Sequence, residues 1–93
     1  MNELRALRAA GTAHVLIDVR EPSEHAQSYI EGSILIPLAT LNGRLDAIPR
    51  DRPVVVHCQA GGRSARAVAQ LRAQGYDAHN LIGGIKAWYQ AGG

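Results

Sequence analysis

The stretch Val54-Val55-Val56-His57-Cys58-Gln59-Ala60-Gly61-Gly62-Arg63-Ser64 decides how this chain is expected to fold. Its three valines form a β-branched run, which is typical of a strand buried on both faces. A short loop with two glycines follows, and a helix is predicted over residues 63–74. A strand, a tight loop and a helix in this order place backbone N–H groups around one point at a helix N-terminus. Such a ring binds anions, and because it starts at Cys58 the anion can be the cysteine's own sulfur.

Short strands and helices alternate along the rest of the chain. We predict strands at residues 14–19, 34–36, 54–57 and 78–82, and helices at residues 3–10, 21–27, 40–47 and 85–90, with Gly43 as a weak point in the third of these helices. The alternation predicts one α/β domain over residues 1–93, with a mostly parallel sheet of four to five strands and helices on both faces. Ligands of such sheets lie beyond the carboxyl ends of the strands, where Cys58 and the Asp18-Val19-Arg20 segment both fall.

The composition excludes several classes of protein. Apolar residues make up 46% of the 93 residues and charged residues 19%, which is ordinary for a globular domain and too apolar for a disordered one. A net charge of +2 without a basic stripe gives no indication of nucleic-acid binding. No apolar run approaches the ~20 residues of a membrane span, and no signal segment opens the chain. We therefore expect a soluble protein with neither a nucleic-acid nor a membrane partner.

The single cysteine restricts the chemistry further. It excludes an internal disulfide and a resolving thiol, so a sulfur atom bound to Cys58 must leave to a second molecule. It also excludes a cysteine-rich zinc site, and His14, His25 and His79 lack the spacing of metal ligands, so neither a metal nor a cofactor is predicted. This cysteine usage suits a reducing compartment, and we expect the cytoplasm.

Three features of the loop are expected to lower the pKa of the Cys58 thiol, which is about 8.5 in an unperturbed cysteine. The positive end of the following helix points at the loop, the N–H groups of residues 59–64 can converge on the sulfur, and Arg63 adds a permanent charge. Gly61 and Gly62 permit the tight turn, since glycine adopts a positive φ. The alternative is that Cys58 is only a small apolar residue at the end of a buried strand.

Four segments, in order along nearly the whole chain, resemble signatures of the rhodanese family of single-domain sulfurtransferases. They are Asp18-Val19-Arg20-Glu21-Pro22 with Glu24, Ile30-Glu31-Gly32-Ser33 with Ile36-Pro37-Leu38, Cys58-Gln59-Ala60-Gly61-Gly62-Arg63-Ser64, and Asn80-Leu81-Ile82-Gly83-Gly84-Ile85-Lys86-Ala87-Trp88. Ser28-Tyr29 and Glu31 depart from the family's usual Gly-His pair and proline. The family's usual strand before the first helix also has no counterpart, so the sheet is expected to have four strands or an edge covered by a partner.

The resemblance implies that Cys58 takes the outer sulfur of a small anionic donor such as thiosulfate and holds it as a persulfide. A thiophilic acceptor, either cyanide or a thiol, then removes the sulfur. It further implies roles for the loop that follows: its amides hold the transferred sulfur, Arg63 holds the anionic donor, and the Ser64 hydroxyl bonds to the sulfur. The predicted substrate-binding residues are Gln59, Ala60, Gly61, Gly62, Arg63 and Ser64. Two interpretations of Asp18 and Arg20 stay open: they steady the loop through ion pairs, or they form a structural pair between strand and helix.

Loop length separates this function from its nearest enzymatic alternative. Cell-cycle tyrosine phosphatases and arsenate reductases of similar fold have five residues between cysteine and arginine, whereas four lie between Cys58 and Arg63. The smaller ring fits one sulfur atom better than a tetrahedral oxyanion, although His57 is compatible with either function. A different alternative is a sulfur-carrying or regulatory module whose partner is another protein, including a protein that accepts the sulfur.

Overall fold

The computed structural model describes residues 2–92. Its strands are β1 (Val15–Asp18), β2 (Ile34–Leu35), β3 (Val54–His57) and β4 (Ala78–Asn80). Its α-helices are α1 (Asn2–Ala10), α2 (Pro22–Gln27), α3 (Gly62–Ala73) and α4 (Gly84–Gln90), and a 3₁₀ helix covers Leu38–Ala47. The four strands pair in the order β2-β1-β3-β4, and every pairing is parallel. The predicted α/β fold with a parallel sheet is confirmed.

The two central strands, β1 and β3, are apolar on both sides of the sheet. They pair along their full length, so each shields the other's backbone from water. Successive side chains of a strand point to opposite faces. Val55 accordingly belongs to one buried cluster, whereas Val54 and Val56 belong to the other. This explains why the segment is a continuous β-branched run and not an alternation of apolar and polar residues.

Each face of the sheet is covered by its own helices. On one face α3 contributes Ala67 and Leu71, together with the 3₁₀ helix. On the other face α1 contributes Leu4 and α4 contributes Trp88, so the predicted helices on both faces are confirmed. Burying a side chain such as Leu71 contributes roughly 1.5–3 kcal/mol, and this burial stabilises helices too short to persist alone. In the described part of the chain, no helix combines the length and the apolar character needed to cross a membrane.

The segment predicted as an α-helix over residues 40–47 is instead the 3₁₀ helix Leu38–Ala47. Asn42 and Gly43 at its centre have low α-helix propensity, and Leu41 is its one fully buried residue, so little apolar burial favours a regular α-helix. At its start the Pro37 carbonyl accepts bonds from both the N–H and the hydroxyl of Thr40, at 2.8 and 2.9 Å. Tight local turns therefore prevailed over the apolar periodicity.

The carboxyl ends of β1, β3 and β4 all lie at the same end of the parallel sheet. The strands are shorter than predicted at this end, because β1 ends at Asp18 and β4 ends at Asn80. The residues after these strands, including Cys58 after β3, therefore belong to loops. Parallel sheets with helices on both faces bind their ligands beyond the carboxyl ends of the strands.

Candidate functional site

Cys58 lies directly after β3 and is only 1% exposed. Gly61 caps α3 with a φ of +114°, a left-handed conformation that glycine adopts without strain. This turn brings the N–H groups of Gly61 and Ser64 to 3.1 and 3.4 Å from Cys58 Sγ. The sulfur thus lies at the positive end of a twelve-residue helix. The loop does close around the sulfur. Six N–H groups were expected to converge on Sγ, whereas those of Gly61 and Ser64 bond to it and that of Ala60 also lowers the pKa of the thiol.

The surroundings of Cys58 act in opposite directions on its pKa. Burial of the thiol acts to raise the pKa, because it disfavours the charged sulfur. Hydrogen bonds to the charged sulfur, from the Ser64 hydroxyl when it turns to Sγ and from the N–H groups of Ser64, Gly61 and Ala60, act to lower it. The hydrogen bonds outweigh the burial, so the pKa of Cys58 lies below its ordinary value, in the direction that the sequence predicts.

The end of β4 supports the loop from one side through Asn80. The Ser64 hydroxyl donates to Asn80 Oδ1 at 2.6 Å, and Asn80 Nδ2 donates to the Gly61 carbonyl at 3.3 Å. Ser64 Oγ also lies 3.4 Å from Cys58 Sγ, so one hydroxyl touches both the sulfur and the asparagine. The sequence placed Asn80 in a signature segment without assigning it a role.

The first turn of α4 supports the loop from the other side. The N–H groups of Ile85 and Lys86 donate to the carbonyl groups of Cys58 and Gln59, at 2.9 and 3.2 Å. Gly84 adopts a φ of +64°, and a Cβ atom at this position would overlap both of those carbonyl groups. The Gly83-Gly84 pair therefore does more than turn the chain, because it lets the backbone of α4 approach the loop closely.

The Arg63 side chain is bound by an acid that the sequence did not connect with it. Its guanidinium donates to both carboxylate oxygens of Glu24, at 2.6 and 2.9 Å. The two side chains are 37% and 31% exposed, so the pair lies at the surface beside the loop. The hydrogen bond from Arg63 lowers the pKa of Glu24 to about 2. The sequence placed Glu24 in a signature segment without assigning it a role.

Asp18 and Arg20 form a buried pair with each other. Arg20 Nε and Nη2 donate to the Asp18 carboxylate at 3.0 and 2.8 Å, and Nη2 also donates to the Ser28 carbonyl at 2.6 Å. His25 Nδ1 lies 2.9 Å from the same carboxylate. These bonds tie β1 to the segment after α2 and not to the Cys58 loop, which favours the structural interpretation of the pair. Within residues 2–92, no three His, Cys, Asp or Glu side chains are grouped to hold a metal ion.

His57, the last residue of β3, is fully buried, with 0% exposure. Neither of its ring nitrogens has a hydrogen-bond partner. Burial disfavours the charged ring and lowers the pKa of His57 to about 4, although the nearby Asp18 carboxylate acts to raise it. The ring is therefore neutral at physiological pH. Sequence reasoning did not anticipate a buried, unpaired imidazole beside the cysteine.

Comparison with known proteins matches this arrangement to one family. The sequence model of the family described as "Rhodanese-like domain" matches residues 1–91. A "Sulfurtransferase" of Allochromatium vinosum is 42% identical, over 98% of this chain and 87% of its own length. The "Thiosulfate sulfurtransferase GlpE" of Pseudomonas fluorescens is 34% identical, over 92% of this chain and 78% of its own length.

A solved structure agrees with these sequence relatives. The human single-domain sulfurtransferase TSTD1 superposes with a TM-score of 0.86 at 31% identity, covering 97% of this chain and 92% of the human one. Two other curated relatives are much longer proteins, and the chain spans 23% and 15% of their lengths. The domain therefore occurs both alone and as one part of larger proteins.

Proposed function

Because the chain belongs to the rhodanese family, whose relatives include single-domain sulfurtransferases, we propose that it transfers a sulfane sulfur through a persulfide on Cys58. The donor is thiosulfate or a similar small anion, and the acceptor is a thiophile such as cyanide or a thiol. A reducing compartment such as the cytoplasm keeps such thiols available.

The proposed reaction has two steps. The Cys58 thiolate attacks the outer sulfur of thiosulfate, a new S–S bond forms, and sulfite leaves with the electron pair of the broken bond. The acceptor then attacks the outer sulfur of the persulfide, and Cys58 departs as a thiolate. The enzyme passes through a covalent intermediate between two substrates, so ping-pong kinetics are expected.

The observation that carries the proposal is the ring around Cys58 Sγ. The N–H groups of Gly61 and Ser64 approach the sulfur within 3.4 Å in a loop with only four residues between Cys58 and Arg63. The sulfur occupies the anion position at the helix N-terminus, and this supports sulfur chemistry over the binding of a tetrahedral oxyanion. Hydrogen bonds to the charged form favour a thiolate, which is the nucleophilic form of cysteine.

Mass spectrometry tests the proposal directly. After exposure to thiosulfate and removal of excess donor, the intact protein should gain the mass of one sulfur atom, and cyanide should remove it. Cys58 is the only cysteine in the chain, so the Cys58→Ser variant is a complete control. A protein that gains no sulfur, or that hydrolyses an aryl phosphate or reduces arsenate instead, would overturn the proposal.

We expect the Arg63→Ala and Glu24→Gln variants to change donor use in opposite directions. Loss of Arg63 removes a cation beside the loop and should raise the KM for thiosulfate by about 10-fold, since hydrogen bonds to charged groups contribute roughly 1.5–3 kcal/mol. Glu24→Gln removes the negative charge and one of the two oxygens that hold the guanidinium, and should lower that KM several-fold. Steady-state kinetics with thiosulfate measure both effects.

The acceptor step and the stability provide the controls for these two variants. The ion pair is about one-third exposed, so its loss should change the unfolding free energy by less than about 1 kcal/mol. The KM for an uncharged thiol acceptor should stay unchanged. Wild-type kinetics with thiosulfate in Arg63→Ala would remove Arg63 from the donor site.

A second candidate function is a sulfur-carrying or regulatory module that acts on a protein partner. The much longer relatives, in which this domain is one part of a larger chain, favour it. In that case Cys58 would still gain a sulfur, but turnover of thiosulfate with cyanide or small thiols would be negligible. Capture of a partner that depends on the persulfide, and is lost in Cys58→Ser, would distinguish a protein acceptor from a small one.

A further inference from the structure

The Ser64 hydroxyl has one proton and three neighbouring groups that can accept it. They are Asn80 Oδ1 at 2.6 Å, the Gly61 carbonyl at 3.1 Å and Cys58 Sγ at 3.4 Å. A hydroxyl donates only one hydrogen bond at a time, whereas its oxygen can also accept. Which neighbour receives the proton therefore decides whether Ser64 can stabilise a charged sulfur.

The orientation of the Asn80 amide follows from the Gly61 carbonyl. That carbonyl can only accept, so Asn80 must face it with the NH₂ group, at 3.3 Å, and must face Ser64 with the oxygen. The same carbonyl also accepts the N–H of Ala65 at 3.0 Å, so both of its lone pairs are occupied. The Ser64 proton is consequently directed to Asn80 Oδ1, which is also its shortest contact.

This arrangement suits a protonated Cys58. With the Ser64 proton on Asn80, Ser64 Oγ presents a lone pair to the sulfur and accepts a bond from the thiol S–H. A thiolate at the same place would face that lone pair unfavourably. When the thiol proton leaves to water, the Ser64 O–H must turn to Sγ, and Asn80 Oδ1 loses its donor.

We propose that Asn80 is a positioning residue that competes with the Cys58 sulfur for the proton of Ser64, and thereby sets how readily the nucleophilic thiolate forms. The residue acts through Ser64 and touches no reacting atom. Its importance for turnover rests on the proposed persulfide chemistry. The competition itself concerns only the thiol, and it is measurable without any donor or acceptor.

The thiolate's ultraviolet absorbance, followed against pH, tests this proposal, with Cys58→Ser as the blank. In Asn80→Ala the Ser64 hydroxyl loses its shortest acceptor and can turn to a charged sulfur without leaving Asn80 Oδ1 unpaired, so the pKa of Cys58 should fall by about 0.5–1, which is the size of one neutral hydrogen bond. In Asn80→Asp the carboxylate retains the proton more strongly and also adds a negative charge, so the pKa of Cys58 should rise, and the part of this rise that is lost in the Ser64→Ala background reports on the proton. A loop that was merely loosened would shift the pKa in one direction in both variants.

The Ser64→Ala background completes a double-mutant cycle. With the hydroxyl removed, Asn80→Ala should no longer change the pKa of Cys58, and the rise in Asn80→Asp should shrink. Should Asn80→Ala fail to fold, Asn80→Asp is compared with the double variant that also carries Ser64→Ala. A smaller rise in the pKa of Cys58 in the double variant supports the proposal in the same way. An unchanged or raised pKa in Asn80→Ala, or equal shifts in both backgrounds, would overturn the proposal.

Apart from the carboxylate that Asn80→Asp introduces, whose direct effect the Ser64→Ala background subtracts, neighbouring charges do not obscure the titration. Arg63 and Lys86, in the first turns of α3 and α4, and Glu24, which pairs with Arg63, are the same in every variant. His57 titrates near pH 4 and Glu24 near pH 2, both below the range in which a thiol loses its proton. A change in the measured pKa therefore reports on Ser64 and Asn80.

Discussion

Replacing Cys58 with serine is expected to abolish sulfur transfer while leaving the fold intact. Serine cannot form a persulfide, and the loop N–H groups that lower the pKa of a thiol do not ionise a hydroxyl. Turnover should therefore fall by at least about 1,000-fold, as for the loss of other nucleophiles. The change replaces one buried sulfur by a smaller oxygen that can still accept from Gly61 and Ser64. A thiosulfate-to-cyanide assay measures the loss.

Thermal unfolding and mass spectrometry complete this experiment. The unfolding free energy of Cys58→Ser should stay within about 1 kcal/mol of the wild type, because the replacement is nearly isosteric and keeps polar partners. No sulfur should be gained from thiosulfate. If the folded variant retained more than a trace of transfer activity, Cys58 would not be the nucleophile and the assignment of the loop would be wrong.

The second large effect is a loss of stability in mild acid that is caused by His57. An ordinary histidine has a pKa of 6.5, whereas His57 in the folded protein has a pKa of about 4. The folded state therefore binds this proton less readily than the unfolded chain. The protein has its full stability above pH 6.5, where the ring is neutral in both states, and loses stability as the pH falls towards 4. The difference corresponds to roughly 3 kcal/mol. That is a large part of the 5–15 kcal/mol typical of a whole domain, on the order of a third.

Urea unfolding at several pH values measures this effect. The wild type should lose about 3 kcal/mol between about pH 7 and pH 4, and His57→Leu should lose much less because nothing titrates at that position. The leucine also removes two buried ring nitrogens without partners, so at neutral pH the variant should be at least as stable as the wild type.

His14 offers a matched control, since its ring bonds to the Thr12 carbonyl at the surface. His14→Gln should retain the wild-type dependence on pH. Glu24 and Asp18 have lowered pKa values and contribute to acid unfolding only at lower pH, below about 4.5. An equally steep pH dependence in His57→Leu would show that another group is responsible.

The parts of the structure that were predictable from the sequence rest on local patterns. The run Val54–His57 and the single cysteine after it determined the central strand and the loop, because β-branched residues and glycines act through their own backbone preferences. The four-strand parallel sheet followed from the alternation of elements. The 3₁₀ helix was missed because its leucine spacing also fits an α-helix, whereas the weak helix formers Asn42 and Gly43 and the turn at Pro37 favour tighter turns.

The unpredicted parts of the site are contacts between residues distant in sequence. Glu24 meets Arg63 across 39 positions, and Asn80 meets Ser64 across 16. No spacing rule connects such pairs, because the register of the sheet and the packing of α2 bring them together. The environment of His57 was equally invisible, since two neutral ring nitrogens without partners leave no pattern in the sequence.

Helices α3 and α4 lie on opposite faces of the sheet, yet both begin at the Cys58 loop. The Gly61 carbonyl accepts from Ala65 of α3, while the carbonyls of Cys58 and Gln59 accept from the first turn of α4. Opening the loop would therefore break the first turns of α3 and α4, on both faces of the sheet, at the same time. Motion around the sulfur should be a rare, cooperative fluctuation, which makes slow amide hydrogen exchange in α4 a remote reporter of the cysteine.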